Sequence, residues 1–458
     1  MDMISYLPDH LLIIIISFLT FQEAARTSVL SRRWAHIWRS TRNLDFNERF
    51  FFNIDADREV RRRVFVKFVE NWIDNYQEPV LDKLCITFSR PRDFHVVVEE
   101  CIEFAVSRGV KVLGLDFSDP SWGDKDLLGK NLAPSFDLPQ VVYEHRVLES
   151  LTLFSCNFNV SEIINLRLLK NISLGWIELR LPSLPALLVN CPLLESLSLK
   201  NCWNADGLRV YGKDLRLRSL VVDKFIMSEN PYIELEAPNL KYLKYSGSMA
   251  VFGVNGTREL EEAYLEFGLE SEGYIAMGDR LYQLLHQLPT ARVLTVCTYM
   301  LQVIPLELAS NGVTPYFGVG HLTLKTAMQS SEQRGIRYFL SSCPCLQVLI
   351  VNIVPQRIIV DLDEYERDNV GEIWALNAKE YHCVNQTLKV VQVKGFKGTR
   401  HEVGLLRYLF CCGSVLEKLH ILVAEKLENQ HEVRQLLGRA FRGLKKASND
   451  LHISIYRR

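Results

Sequence analysis

The chain has 458 residues, 48% hydrophobic and 23% charged, with 24 Gly and 16 Pro. These proportions exclude a disordered chain or a coiled-coil rod, and the length calls for more than one unit or a repeat array. With 53 Lys and Arg against 54 Asp and Glu, the net charge is −1. No general field collects nucleic acid or an anionic membrane surface, and neither is expected as a partner.

The first 45 residues read as three short helices. Pro8 and Asp9 open the first, where a residue without an N–H and an acid near the positive end of the dipole are both favoured. It is expected to run to Leu19. Leu11, Leu12, Ile15, Ile16 and Leu19 fall on one face at helical spacing, while Ile13, Ile14 and Phe18 make the other face apolar too. Such a helix must be covered all round. Its apolar run, interrupted by Ser17, is far short of the ~20 residues that cross a bilayer. Asp2 and Asp9 flank it where a secretory signal carries positive charge, so no secretion is expected. A second helix is expected near Gln22–Val29, and Ser31 is the expected N-cap of a third carrying Trp34, Ile37 and Trp38. Three helices of this size hide only part of their apolar surface. Either they cap the open end of a repeat array or another protein covers them. Farther on, Arg61, Arg62 and Arg63 are read as a charged outer face opposite Val60, Val64, Phe68 and Trp72, in preference to a phosphate site.

From about residue 80 a phrase recurs with leucine-like residues at its first, fourth and sixth places. Clear copies are Leu148-Leu151-Leu153-Cys156, Leu194-Leu197-Leu199-Cys202, Leu217-Leu220-Val222 and Leu240-Leu243-Tyr245. The last three start 23 residues apart, within the 20–29 period of leucine-rich repeats. Weaker copies are Leu260-Ala263-Leu265, Val319-Leu322-Leu324, Leu346-Leu349-Val351, Leu388-Val391-Val393 and Leu416-Leu419-Ile421. Earlier ones are placed at Leu81-Leu84-Ile86 and Val110-Leu113-Leu115. The fourth and sixth residues lie two apart on a strand and share its inner face. One unit cannot bury them alone, but stacked units form a parallel sheet with a continuous core. The α/β class expected is therefore an irregular solenoid, not a doubly wound domain. Its outward strand positions, Phe154, Lys200, Asp223, Tyr242, Lys244, Tyr264 and Glu266 among them, offer a surface for a ligand. Cys191-Pro192 and Cys343-Pro344 precede leucine strands and are expected to close the preceding helix tightly.

Asp361, Asp363, Glu364, Glu366 and Asp368 mark an acidic loop at 359–373. The last stretch, Val433 to Arg458, has seven Lys or Arg and one Asp, read as solubilising the end of the array. The eleven Cys are scattered, an odd count that is no disulfide framework and points to a reducing compartment.

Searches for catalytic signatures find none. Gly318-Val319-Gly320 lacks the remaining residues of a phosphate loop, and His401-Glu402 and His431-Glu432 lack the second His of a zinc helix. His382 and Cys383 are adjacent, so their side chains diverge. No cofactor, metal or catalytic residue is expected.

The residues Leu7-Pro8-Asp9, Leu11-Leu12, Ile15, Ser17-Phe18-Leu19, Ala24, Arg26 through Ser31, Arg33-Trp34 and Trp38 resemble an F-box. Thr20, where relatives commonly carry Pro, and Ile14, usually polar, depart from the pattern. RVFVKFVENWI from Arg63 to Ile73 resembles the helix that follows an F-box in the plant F-box, leucine-rich-repeat and FBD family, and Leu388 to Ile421 is similar to its FBD element. The resemblance implies an F-box at 1–48, repeats at 49–358 and an FBD element at 374–458 continuing the array. It implies that Leu7, Pro8, Leu11, Leu12, Ile15, Ile16, Leu19, Val29, Leu30, Arg33 and Trp34 dock on a Skp-type adaptor, which links the chain to a cullin–RING ubiquitin ligase. It further implies a non-catalytic receptor for an unknown target, in the cytoplasm or nucleus. The alternative is a repeat scaffold whose helices only cap the array.

Overall fold

The computed structural model describes residues 4–51, 57–123, 126–127, 136–179, 183–204, 207–227, 232–247, 249–267, 278–308, 316–355, 374, 380–424 and 430–457. The acidic loop at 359–373 and the side chains of His431 and Glu432 lie outside them. The chain divides into two compact units, Met1–Glu229 and Asn230–Arg458.

In the first unit seven strands follow one another in sequence and pair with their neighbours in parallel: β1 (Asn43–Asn47), β2 (Lys83–Thr87), β3 (Val112–Asp116), β4 (Ser150–Phe154), β5 (Asn171–Gly175), β6 (Ser196–Lys200) and β7 (Ser219–Met227). The register stacks the repeat phrase on itself. Leu84, Leu113, Leu151, Ile172, Leu197 and Leu220 make one row, and Ile86, Leu115, Leu153, Leu174, Leu199 and Val222 the next. All twelve are buried. Each such side chain contributes about 1.5–3 kcal/mol by leaving water, which no isolated unit can collect.

The second unit repeats the scheme with β8 (Tyr242–Gly247), β9 (Glu262–Phe267), β10 (Val293–Val296), β11 (His321–Thr326), β12 (Val348–Ile353), β13 (Val390–Phe396), β14 (Lys418–Val423) and β15 (His452–Arg457), again parallel. Helices Gly278–His286, Thr298–Leu308, Gln333–Ser342, Arg400–Cys412 and Gln430–Phe441 lie between its strands in sequence. Near its start Tyr232–Glu236 and Val251–Asn255 form a separate parallel pair.

Every repeat phrase expected from the sequence is a strand of these arrays. The structure adds copies that sequence reading passed over: Leu44 and Phe46 on β1, Ile172 and Leu174 on β5, Leu294 and Val296 on β10, and Ile453 and Ile455 on β15. The expected tight closures are present as well. The Cys191 N–H donates to the Leu187 carbonyl at 2.9 Å and the Leu194 N–H to the Cys191 carbonyl at 3.1 Å. Cys343 repeats the pattern with Phe339 and Leu346, and Gly413 with Leu409 and Leu416. The cysteines after two strands are structural: the Cys202 thiol donates to the carbonyls of Lys200 at 3.4 Å and Leu174 at 3.6 Å, and Cys156 to that of Phe154 at 3.6 Å.

The residue entering each strand from β2 to β7 carries charge, and the sign alternates: Asp82, Lys111, Glu149, Lys170, Glu195, Arg218. Backbone bonds hold these residues in one file, with the N–H groups of Glu149, Lys170, Glu195 and Arg218 each 2.8 Å from the preceding member's carbonyl. Lys170 meets Glu149 at 2.8 Å and Lys111 meets Asp82 at 3.8 Å. In the second unit Lys241 pairs with Glu261 at 3.0 Å and Lys389 with Glu417 at 3.1 Å.

The F-box helices are α1 (Asp9–Ser17), α2 (Phe21–Arg26) and α3 (Arg32–Ile37), followed by α4 (Arg58–Asn75). The first ends two residues before Leu19, because Thr20 starts α2 with a capping box: its hydroxyl accepts from the Glu23 N–H at 3.3 Å, and the Glu23 carboxylate accepts from the Thr20 N–H at 3.0 Å. These bonds, the backbone one foremost, hold the Glu23 carboxyl below its ordinary pKa. The second helix ends at Arg26 and tightens into a 3-10 turn over Thr27–Val29. Ser31 caps α3 as expected, its hydroxyl accepting from the Trp34 N–H at 3.3 Å.

Two expectations for α4 fail. Arg62 does not face solvent: it is 9% exposed, whereas Val60 and Val64 are 50% and 39% exposed. The helix turns Phe65, Val66 and Val69 inward, and Arg62 shares their face. Its guanidinium is held by the Ser89 carbonyl at 2.6 Å, the Arg90 carbonyl at 2.9 Å and Glu48 at 3.4 Å, and lies over the Phe88 ring. Burial is repaid by directed partners.

Candidate functional site

The F-box builds a small core of its own from Leu12, Ile16, Ala24, Trp34 and Ile37, against which Leu7, Ile13, Leu19 and Trp38 pack. Leu12 and Ile16 are wholly buried and Trp34 is 6% exposed. These three therefore correct the expected adaptor face: they hold α1 and α3 together, and no partner reaches them in this arrangement. Leu7 and Leu19 are half-buried at the margin of the same core.

What the fold leaves uncovered is a different set. Leu11 and Ile15 on α1 and Phe18 at its C-cap recur at spacings of four and three, which aligns them on one face with Ile14 beside them. Phe18 is 84% exposed, and after α2 Val29 and Leu30 are 85% and 66% exposed. Pro8 is also exposed and caps α1 in an extended conformation. Arg33 does not point freely at a partner. Its guanidinium donates to Asp9 at 2.6 Å and 2.9 Å and also to the Leu7 carbonyl, bracing the start of α1 against α3.

An aromatic cluster joins this module to the array. Phe21 meets Trp38, Phe46 and Trp72 edge-on, with ring centroids 6.0, 5.8 and 5.2 Å away, and Trp38 lies 4.7 Å from Trp72. Phe46 belongs to β1 and Trp72 to α4. The Asn43 side-chain amide donates to the Ser17 carbonyl at 2.7 Å, and the Tyr76 hydroxyl to that of Thr41 at 3.1 Å. The F-box is thus packed against the first strand of the array.

The expected target residues lie on the outward strand face of each unit. In the first, Phe154 is half-buried because its ring lies over Gly175 of the next strand; a Cβ there would come within 2.6 Å of it. Lys200 and Asp223 are register partners on β6 and β7. In the second, Tyr242 pairs with Glu262 and Lys244 with Tyr264 across β8 and β9. The Lys244 ammonium sits 5.3 Å from the Tyr264 ring centre, and the Tyr264 hydroxyl donates to Glu266 at 2.6 Å. Lys325 of β11 reaches back to both Glu266 oxygens at 3.0 Å and to the Tyr264 hydroxyl. Sequence reading brought Lys244, Tyr264 and Glu266 together but missed Lys325. Its alignment two strands away is invisible until the spacing of β10 and β11 is known.

Several thiols are held protonated by burial, with pKa pushed up to about 12 at Cys101, Cys191, Cys202 and Cys383. Among the described residues no group of three or more His, Cys, Asp or Glu could hold a metal ion, and no helix is long and apolar enough to cross a membrane.

The F-box domain model matches residues 4–46, and the At1g61320/AtMIF1 leucine-rich-repeat domain model matches residues 95–448. An F-box/LRR-repeat protein of Arabidopsis thaliana, At1g56400, is 35% identical over 425 residues, covering 90% of this chain and 86% of its own. The F-box protein At3g62230 of the same plant is 34% identical over 429 residues, 92% and 91% of the two chains. An FBD-associated F-box protein, At1g61330, is 25% identical over 449 residues, 94% and 93%. The strand, helix and strand from Val390 to Val423 that resemble the FBD element fall inside the repeat match and extend the parallel array. Helical module, stacked strands and both domain matches agree: the chain belongs to the F-box/leucine-rich-repeat protein family of plants.

Proposed function

We propose that the chain is the target-recognition subunit of a Skp–cullin–F-box ubiquitin ligase and works in the cytoplasm or nucleus. The observation that carries this reading is the apolar strip Leu11, Ile15 and Phe18, with Val29 and Leu30, left exposed on an F-box whose own core is already complete. Contiguous apolar surface of this kind marks a protein contact. The F-box would grip a Skp-type adaptor, and the outward strand faces, including Lys244, Tyr264, Glu266 and Lys325, would hold the target. The chain itself performs no chemistry in this scheme. Tethering raises the effective concentration of target lysines beside an activated ubiquitin carrier.

A second reading, a repeat scaffold whose helices only cap the array, draws support from Phe21 lying against Phe46 of β1. Capping uses Phe21 whereas docking would use Leu11, Ile15, Phe18, Val29 and Leu30, so this contact by itself does not separate the two readings. Co-expression does. The chain should co-purify with a Skp-type adaptor in stoichiometric amount and assemble with a cullin; a soluble chain that leaves the adaptor unbound at micromolar concentration would favour the scaffold.

A further inference from the structure

A cleft of about 220 Å³ opens where the first turns of α4 face the loops that leave β2 and β3. Arg58, Arg61 and Arg62 line it from the helix, with Ser89 and Ser121 among its other walls.

Two carboxylates also line it, and both are already engaged. Glu48 accepts from the Ser89 N–H at 2.8 Å, from the Ser89 hydroxyl and from Arg62. Asp119 accepts from the Ser121 N–H at 2.9 Å, the Ser121 hydroxyl at 2.7 Å and Arg90 at 3.1 Å. Arg90 reaches Asp119 from outside the lining, so three guanidinium groups and two carboxylates face the cleft itself. Burial lowers the Arg62 pKa, and the neighbouring Arg58 charge lowers it further, against the pull of Glu48, Glu59 and Asp93. The lining thus carries a surplus of positive charge that a bound anion would neutralise. The first turn of α4, an 18-residue helix, adds positive potential from its dipole.

From this juxtaposition we infer a binding site for a single phosphoryl group, held by the Arg58 and Arg61 guanidinium groups with the Ser89 and Ser121 hydroxyls at its walls. Guanidinium forks match the spacing of phosphate oxygens. The volume lies below the roughly 300–1,000 Å³ of pockets for drug-sized ligands, so one tetrahedral anion fits and a polyphosphorylated ring does not. The group can arrive on a peptide side chain or as free phosphate. The inference stands apart from the adaptor reading, because binding is measured on the chain alone.

The test titrates the full-length chain with inorganic phosphate, and separately with O-phosphoserine, by calorimetry at ionic strength held constant with chloride. Saturable binding at one site is expected, weakened about tenfold or more by Arg58→Gln and by Arg61→Gln. Arg63→Gln should leave it unchanged, since Arg63 is exposed on the same helix and faces Glu59 at 3.8 Å. Arg58 is exposed, so its replacement leaves the fold in place, which an unaltered thermal midpoint without ligand verifies. Binding of phosphoserine identifies a modified side chain as the source, and binding of inorganic phosphate alone identifies a free anion; either supports the site. No saturable binding of either probe, or equal weakening by Arg63→Gln, overturns it.

Discussion

Trp38 of the F-box and Trp72 of the following helix lie with ring centroids 4.7 Å apart and planes tilted by 43°. With Phe21 and Phe46 against them, the rings make the F-box and the first strand of the array a single packed body, so an adaptor gripped by one fixes the position of the other. Replacing Trp72 by Ala should cost about 2–3 kcal/mol, less than a fully buried Trp because the side chain is half-exposed. A double-mutant cycle with Trp38→Ala should return a coupling of about 0.5–1.5 kcal/mol. A coupling of zero in denaturant melts would mean the two rings merely lie near each other.

Core and surface of the F-box should separate cleanly. Leu12→Ala, at a wholly buried position, should destabilise the chain by about 2–5 kcal/mol. The pair Val29→Asp and Leu30→Asp should change stability by no more than about 0.5 kcal/mol per site, as exposed positions do, yet weaken adaptor binding by about tenfold or more. Loss of stability comparable to Leu12→Ala would place Val29 and Leu30 in an internal contact.

Arg62→Met removes a buried cation and leaves the Glu48 carboxylate without its ion-pair partner. A loss of about 3 kcal/mol or more is expected. The compensating variant with Glu48→Gln as well should recover part of it. If Arg62→Met proves as stable as the parent, the bonds to the Ser89 and Arg90 carbonyls contribute little.

Acid titration offers a check on Asp119. Burial alone would raise its carboxyl, but the hydrogen bonds from Ser121 and the charges of Arg90 and Arg58 outweigh that and hold it below the ordinary value. A group depressed in the folded state stabilises fully above its unfolded pKa of about 3.9 and loses that contribution as pH falls through the folded value. The stability difference between the parent and Asp119→Asn should therefore be constant above about pH 5 and shrink toward pH 3. A difference that grows with acid would reverse the sign.

Thiol reactivity should follow burial. At pH 8 a thiol with pKa near 12 is thiolate only about once in 10⁴ molecules, which describes Cys191 and Cys202. Cys345 is exposed and should be alkylated first in a peptide map. Early labelling of Cys202 in folded protein would contradict its place behind the strand.

The arrays were legible because a leucine phrase with a strict inner-face period survives whatever loops separate its copies. Leu294 and Ile453 escaped because their phrases begin on Ala291 and Asp450 instead of leucine, whereas Leu169-Ile172-Leu174 carries the full phrase and was simply passed over. The start, capping and order of the F-box helices were readable from Pro8, Ser31 and the apolar spacing. Which apolar residues face inward was not, because α1 is apolar on every side and periodicity cannot choose between equal faces. Leu12, Ile16 and Trp34 went to the internal core by their contacts with Ala24 and Ile37, and only the third dimension supplies those. Arg62 was misread for a related reason: a triplet of arginines looks solvated until the carbonyls of Ser89 and Arg90, far along the chain, converge on the middle one.

The file of alternating charges entering the strands bears on how the chain finds its alignment while folding. Successive leucine strands are nearly interchangeable to the hydrophobic effect, so a strand that skips one neighbour buries as much oil as the correct one. Skipping one member of Asp82, Lys111, Glu149, Lys170, Glu195 and Arg218 sets like against like, Glu149 beside Glu195 or Lys111 beside Lys170. Each such collision is small, yet it recurs with every misplaced rung, and the penalty favours strict nearest-neighbour succession over a shortened stack.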